Sequence, residues 1–123
     1  MPNALVVDDS RAIRMILCRT LRGLGYDVKE AGNGLEALQV IGDGPPADLV
    51  MADWNMPEMD GLELLRKIRA HPSWAAVPVL MVTTESEIGQ MSAALEAGAT
   101  EYIMKPFTKE ILEDKLRLAG LLV

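Results

Sequence analysis

The sequence predicts an α/β protein whose parallel sheet is covered by helices on both faces. Strand-like and helix-like segments alternate five times along the 123 residues, which is the pattern of a doubly wound sheet. Most of the strand-like segments are nearly continuous apolar runs, as expected for central parallel strands buried on both sides. The connections are short and contain no linker or repeat, so we expect one domain over residues 1–123.

The predicted strands are short and bounded by turn or polar residues. Four follow from apolar runs and a fifth, less regular segment is expected nearer the sheet edge: Ala4–Val7, Asp48–Ala52, Val77–Val82, Glu101–Met104 and, at the edge, Tyr26–Ala31. Helices are predicted where apolar residues recur at spacings of three and four: Arg11–Leu24, Leu35–Ile41, Gly61–Ala70, Ser86–Ala97 and Thr108–Leu118. Ser10 is expected to cap the first helix and Gly25 to end it.

The composition of the chain argues against several classes of function. The net charge is −6, which argues against a surface built to bind nucleic acid directly. No segment approaches the roughly 18 consecutive apolar residues of a membrane span, and no signal peptide is evident, so we expect a cytoplasmic protein without membrane insertion. The single cysteine, Cys18, cannot form an internal disulfide and is expected to be a small apolar residue of the first helix.

Charged and hydroxyl side chains follow four of the predicted strands at the point where each strand ends. These residues are Asp8, Asp9, Asp53, Thr83 and Lys105. An open α/β sheet places its ligands at the carboxyl ends of its strands, so we expect these side chains to converge on one charged site.

Three neighbouring carboxylates need compensation. Two such groups about 4 Å apart repel by about 4 kcal/mol at an effective dielectric near 20, which favours a bound cation or raised pKa values. Carboxylate oxygens with water suit Mg²⁺. A metal and Lys105 around one carboxylate would cradle a phosphoryl group, and the carboxylate itself can be the nucleophile. The alternative is that Asp8 and Asp9 merely cap the first helix and Lys105 is a solvated strand end.

The order and spacing of these motifs resemble the receiver domain of two-component response regulators, most closely its stand-alone chemotaxis members. The likeness covers essentially the whole chain and rests on Asp8-Asp9, Ala31–Leu38, Asp53–Gly61, Thr83 and Lys105-Pro106. It implies a flavodoxin-like sheet of strand order 2-1-3-4-5 with five helices. It also implies a signalling protein that catalyses only its own phosphorylation and dephosphorylation, and is not an enzyme acting on a separate substrate.

The resemblance also implies a role for each site residue. Asp53 would accept phosphoryl from a histidine kinase. Asp9 and Asp53 would ligate Mg²⁺ directly, Asp8 largely through water, and Asn55 through its backbone carbonyl. Lys105 would contact the phosphoryl oxygens, and the Lys105-Pro106 peptide bond would be cis.

A conformational switch is implied at the end of the fourth strand. Thr83 would move to bond the phosphoryl group and Tyr102 would rotate inward in response. The surface of the fourth helix, fifth strand and fifth helix would then bind an output partner, for which the flagellar motor switch is a candidate. Asn55 and Glu85 stand at positions that influence hydrolysis of the acyl phosphate, and Trp54 is expected to be a partly exposed reporter beside the site.

Three alternatives remain open at this point. The chain could be the receiver half of a longer regulator, or a phosphate sink that binds no output protein. An aspartyl-phosphate phosphatase using Asp53 is less favoured, because such an enzyme would need an acid two residues further on, where this chain has Asn55.

Overall fold

The computed structural model describes residues 2–42, 44–84 and 89–121. Strands and helices alternate along the chain in the order β1 (Asn3–Val7), α1 (Arg11–Gly23), β2 (Asp27–Ala31), α2 (Gly34–Ile41), β3 (Leu49–Asp53), α3 (Gly61–Ala70), β4 (Val79–Thr83), α4 (Met91–Glu96), β5 (Glu101–Met104) and α5 (Lys109–Leu118). All neighbouring strands pair in parallel, and the sheet order is β2-β1-β3-β4-β5. The predicted fold class and strand order are confirmed.

Strand β5 has the predicted bounds, and the bounds of the other strands differ from the predicted ones by one or two residues. Strand β3 begins at Leu49, and Asp48 just before it is tied to Asn3 twice, since its carboxylate accepts the amide of Asn3 at 2.7 Å and its own amide donates to the carbonyl of Asn3 at 2.8 Å. Strand β4 begins at Val79 and not at Val77, whose amide closes a turn onto the carbonyl of Trp74. Helix α4 is described over Met91–Glu96, and its predicted start at Ser86 lies outside the described residues.

Side-chain caps fix where the helices leave the carboxyl edge of the sheet. Ser10 caps α1 by accepting the amide of Ile13, as predicted. Helices α2, α3 and α5 are capped in the same way by Asn33, Asp60 and Thr108. Each of these side chains accepts the backbone amide of the residue three positions further along the chain. Each cap satisfies an amide that the first helical turn leaves without a partner.

The core forms two apolar layers, one on each face of the sheet. Alternate strand residues pack with α2, α3 and α4 on one face, including Leu5, Val7, Val50, Ala52, Val79 and Met81. The other strand residues pack with α1 and α5, including Val6, Met51, Leu80, Val82, Leu112 and Leu116. Strands β3 and β4 are therefore buried on both sides, which explains their unbroken apolar sequence.

Cys18 lies in the layer between the sheet and helices α1 and α5, where burial raises the pKa of its thiol to about 11. This agrees with the predicted role as a small core residue. Within the described ranges, no helix is long and apolar enough to span a bilayer.

Candidate functional site

Strand register brings the acidic residues to one rim. Val7 pairs with Ala52 across β1 and β3, so the residues that follow them, Asp8 and Asp53, are neighbours at the carboxyl ends of these strands. One carboxylate oxygen from each of Asp8, Asp9 and Asp53 lies within 4.8 Å of the others. The predicted convergence of these three side chains is therefore present in the structure.

Lys105 bridges two of the three carboxylates. Its Nζ lies 3.2 Å from Oδ1 of Asp53 and 3.3 Å from Oδ2 of Asp8. Asp8 is fully buried and Asp53 is 5% exposed, whereas Asp9 is exposed. The Lys105 side chain is only 20% exposed, so the alternative of a solvated strand end is wrong for this residue.

The oxygens of Asp8 are already engaged by protein groups. Its Oδ1 accepts the backbone amide of Ser10 at 2.8 Å, while Oδ2 accepts from Lys105. Ser10 and not Asp8 caps α1. Asp8 is thus held in place through both of its carboxylate oxygens.

The buried charges perturb one another. Burial and, after it, the charge of Asp8 raise the pKa of Asp53, the ammonium of Lys105 partly offsets both, and the resulting value is about 6. For Lys105, burial alone would lower the pKa, but the charges of Asp53 and Asp8 outweigh it and raise the value. Three ionised carboxylates and one ammonium leave two uncompensated negative charges. This donor set, made of hard carboxylate oxygens, fits a divalent cation such as Mg²⁺.

The loop after β3 folds back beneath Asp53. The amide of Gly61 donates to the carbonyl of Trp54 at 2.8 Å. A Cβ at position 61 would meet the carbonyl oxygen of Asp53 and would lie 2.7 Å from Cε of Met81, so only glycine permits this approach. Glu58 reverses the chain with a positive φ of 69°. Asn55, in the same loop, is exposed.

Trp54 is less exposed than the sequence predicted. It was expected to be partly exposed, but it is 7% exposed and belongs to the apolar layer under α2, α3 and α4. The indole is nevertheless adjacent in sequence to Asp53, so it remains suited to report on the site.

The structure also places the two proposed switch residues. Thr83 is fully buried at the end of β4, and its hydroxyl donates to the carbonyl of Thr84 at 3.3 Å. Tyr102 on β5 is half-buried and packs against the layer that contains α4. Glu85 lies outside the described residues. The Lys105-Pro106 peptide bond is cis, as expected.

Arg14 is a supporting residue that sequence reasoning missed. Its guanidinium donates through Nη1 to the carbonyl of Asp8 at 2.7 Å and through Nε to Glu30 at 3.0 Å. Side chains of a helix tilt toward its N-terminus, so an arginine one turn into α1 can reach the turn after β1. That geometry is the signal that could have singled Arg14 out among the arginines of α1.

The fold and the acidic site together define a response regulator receiver domain. The model of this family matches residues 4–117, and the chain belongs to the family. It is similar to chemotaxis protein CheY1 of Helicobacter pylori, with 44% identity over 115 residues that cover 93% of each chain.

Solved structures agree with this assignment. The chemotaxis response regulator CheY4 of Vibrio cholerae superimposes with a TM-score of 0.89 at 35% identity, covering 97% of this chain and 98% of the other. The receiver domain of a Pseudomonas aeruginosa sensor histidine kinase, solved with a magnesium ion coordinated in its active-site cleft, gives a TM-score of 0.83 at 28% identity, covering 97% and 98%.

Proposed function

We propose that the chain is a phosphorylation-dependent switch, a single receiver domain over residues 1–123 that acts in the cytoplasm. Asp53 accepts the phosphoryl group from a histidine kinase. The observation that carries this proposal is the ammonium of Lys105 between two buried carboxylates, 3.2 Å from Asp53 and 3.3 Å from Asp8. Phosphoryl transfer depends mainly on such positioning and charge neutralisation.

Asp53 is a better nucleophile than Asp8. Asp8 has one oxygen on the amide of Ser10 and the other on Lys105. Among the residues that the structure describes, the only hydrogen bond to the Asp53 carboxylate is the one that Lys105 donates to Oδ1. An oxygen of Asp53 would attack phosphorus as the bond from phosphorus to the donor imidazole nitrogen breaks, and that nitrogen leaves with the electron pair.

The residues that would hold Mg²⁺ are Asp9 and Asp53 directly, Asp8 largely through water, and Asn55 through its backbone carbonyl. The exposure of Asp9 and the engagement of both Asp8 oxygens support this division of roles. The magnesium ion in the similar Pseudomonas domain supports the choice of metal. When bound, the metal would supply charge neutralisation for the phosphoryl oxygens.

The output of the switch would be a changed α4–β5–α5 surface, read by a phosphorylation-dependent partner. A shift from 1:99 to 99:1 needs about 5.5 kcal/mol of differential interaction. A hydrogen bond from Thr83 to a charged phosphoryl group supplies roughly 1.5–3 kcal/mol, so Lys105, the metal and the partner must contribute the rest. Similarity to chemotaxis regulators supports a role in chemotaxis, with the flagellar motor switch as the candidate partner.

The phosphoacceptor is tested by intact-protein mass after incubation with acetyl phosphate. The parent should gain one phosphoryl group with Mg²⁺ and none with a chelator. Asp53→Ala should gain none, while Asp114→Ala, which removes an exposed aspartate of α5, should behave as the parent. Equal phosphorylation of the parent and Asp53→Ala would contradict the assignment. Pull-downs with and without a beryllofluoride mimic would then separate a partner-binding switch from a phosphate sink.

A further inference from the structure

Lys115 links the two faces of the sheet at its β5 edge. It lies on α5, whose residues Leu112 and Leu116 pack in the layer shared with α1. Tyr102, on the edge strand β5, packs instead against the layer that contains α4. The Lys115 ammonium nevertheless lies 4.3 Å from the centroid of the Tyr102 ring. The side chain therefore reaches across the edge of the sheet.

Among the described residues, the carboxylate of Glu101 holds this ammonium in position. Oε1 of Glu101 accepts from Nζ of Lys115 at 3.3 Å, and the same oxygen accepts the backbone amide of Tyr102 at 3.0 Å. Lys115 and Glu101 are each about three-quarters buried, with side-chain exposures of 24% and 23%. The ammonium is thus tied to the backbone of Tyr102 through Glu101 while it lies over the ring of the same residue.

Rotation of the ring would break only part of this arrangement. The Glu101 carboxylate is anchored to a backbone amide, so it and Lys115 can stay in place when the Tyr102 side chain turns. The contact between the cation and the face of the ring would be lost. The interaction therefore favours the ring orientation seen here over any other.

We propose that Lys115 and Glu101 form a latch that holds Tyr102 in its present orientation and so sets the resting position of the switch. This inference deepens the proposed function and rests on it for its role in signalling, although the latch itself acts in the unphosphorylated protein. Lys115 and Glu101 are positioning residues, because they act through Tyr102. A partly exposed ion pair adds little by itself, so the main effect comes from the contact with the ring.

The expected size of the effect follows from that contact. A cation over an aromatic face at an exposed site should shift the equilibrium between the two orientations of the ring by roughly twofold to fivefold. Lys115→Met, which keeps the apolar stem, should raise the population of the alternative Tyr102 orientation by that factor. Lys115→Arg retains the charge and the ion pair and should restore the parent ratio. Glu101→Gln should give an intermediate shift, since the ammonium loses its anchor.

The test is ¹⁹F NMR of protein labelled with fluorotyrosine, without phosphoryl donor or metal. The chain has two tyrosines, so Tyr26→Phe assigns the signals, and the buried Tyr26 reports on the integrity of the fold. The matched control is Lys109→Met, which removes a lysine of α5 that pairs with Glu113. A Tyr102 signal unchanged in Lys115→Met, or moved equally by Lys109→Met, would overturn the latch. If Lys115→Met also moves the Tyr26 signal, the substitution has disturbed the fold, and Glu101→Gln is used in its place. An unchanged Tyr102 signal in Glu101→Gln would then overturn the latch.

Adding beryllofluoride and Mg²⁺ separates the latch from the proposed function. If Lys115→Met shifts Tyr102 but the parent does not respond to beryllofluoride, the latch stands and the phosphorylation switch fails. If the parent responds while Lys115→Met and the parent share the same resting signal, the switch stands and the latch is wrong.

Discussion

The backbone amide of Lys105 donates a hydrogen bond to the carbonyl oxygen of Thr83 at 2.7 Å. The bond continues the pairing of β4 and β5, in which Thr83 lies opposite Met104. It ties the residue whose ammonium contacts Asp53 to the residue at the end of the neighbouring strand. A phosphoryl group on Asp53 would therefore meet two groups whose backbones are already fixed relative to one another.

The stability of the metal-free protein should depend on the ionisation of Asp53. Its pKa is raised in the folded protein to about 6 from an ordinary value of 3.8, so the folded state binds more protons between these values. The free energy of unfolding contributed by this group should fall as pH rises from about 4 to 6, by up to about 1.4 kcal/mol per pH unit. Asp53→Asn should remove this loss and become more stable than the parent, by on the order of 2–3 kcal/mol near pH 7.

This pH dependence is measured by urea unfolding from pH 4 to 7 in the presence of a chelator. Asp114→Asn controls for the removal of an exposed aspartate. Excess Mg²⁺ should stabilise the parent more than Asp53→Asn, because a ligand that binds only the folded state stabilises it. A difference between parent and Asp53→Asn that does not change with pH would contradict the raised pKa.

Mg²⁺ should alter the fluorescence of Trp54, which is buried directly after Asp53. Asp9→Ala should weaken the apparent affinity for Mg²⁺ more than Asp8→Ala, because we assign Asp9 as a direct ligand, whereas both oxygens of Asp8 are engaged by Ser10 and Lys105. The chain has two tryptophans, so the titration is run in a Trp74→Phe background. The reverse ranking of the two variants would count against this ligand set.

Much of the site could be predicted from sequence because it depends on the backbone. Apolar runs predicted β1, β3, β4 and β5 to within two residues, and parallel register then brought Asp8 and Asp53 together. The contacts that were missed depend on how far side chains reach between elements, as for Arg14 to the carbonyl of Asp8 and Lys115 to the ring of Tyr102. The burial of Trp54 was missed for a related reason, since it depends on how the indole packs with residues of other elements.

Lys105 should matter for signalling more than for metal binding. Lys105→Ala removes the cation between Asp8 and Asp53, so it should bind Mg²⁺ at least as tightly as the parent. It should accept phosphoryl slowly and fail to reach the active state, because no ammonium contacts the phosphoryl oxygens. Lys109→Ala is the control for loss of charge. Normal partner binding by phosphorylated Lys105→Ala would show that the role given to Lys105 is wrong.

Arg69 should stabilise the fold through its hydrogen bonds to backbone. Its guanidinium donates to the carbonyls of Ala75, Val77 and Gly98, and so ties α3 to the start of β4 and the end of α4. Burial lowers its pKa. Arg69→Met keeps the stem but leaves part-buried carbonyls without donors, which costs about 1–3 kcal/mol. Urea unfolding should show this loss, whereas Arg66→Met, at an exposed position of the same helix, should be near neutral.

The central claim is that a phosphoryl group on Asp53 changes the environment of Tyr102 through Thr83. The most direct measurement is the NMR signal of the Tyr102 ring with Mg²⁺, before and after addition of the beryllofluoride mimic. We predict that the signal moves to a second ring environment in the parent, moves only in small part in Thr83→Ala, and does not move in Asp53→Ala. An unchanged signal in the parent, or a full response in Thr83→Ala, would contradict this coupling.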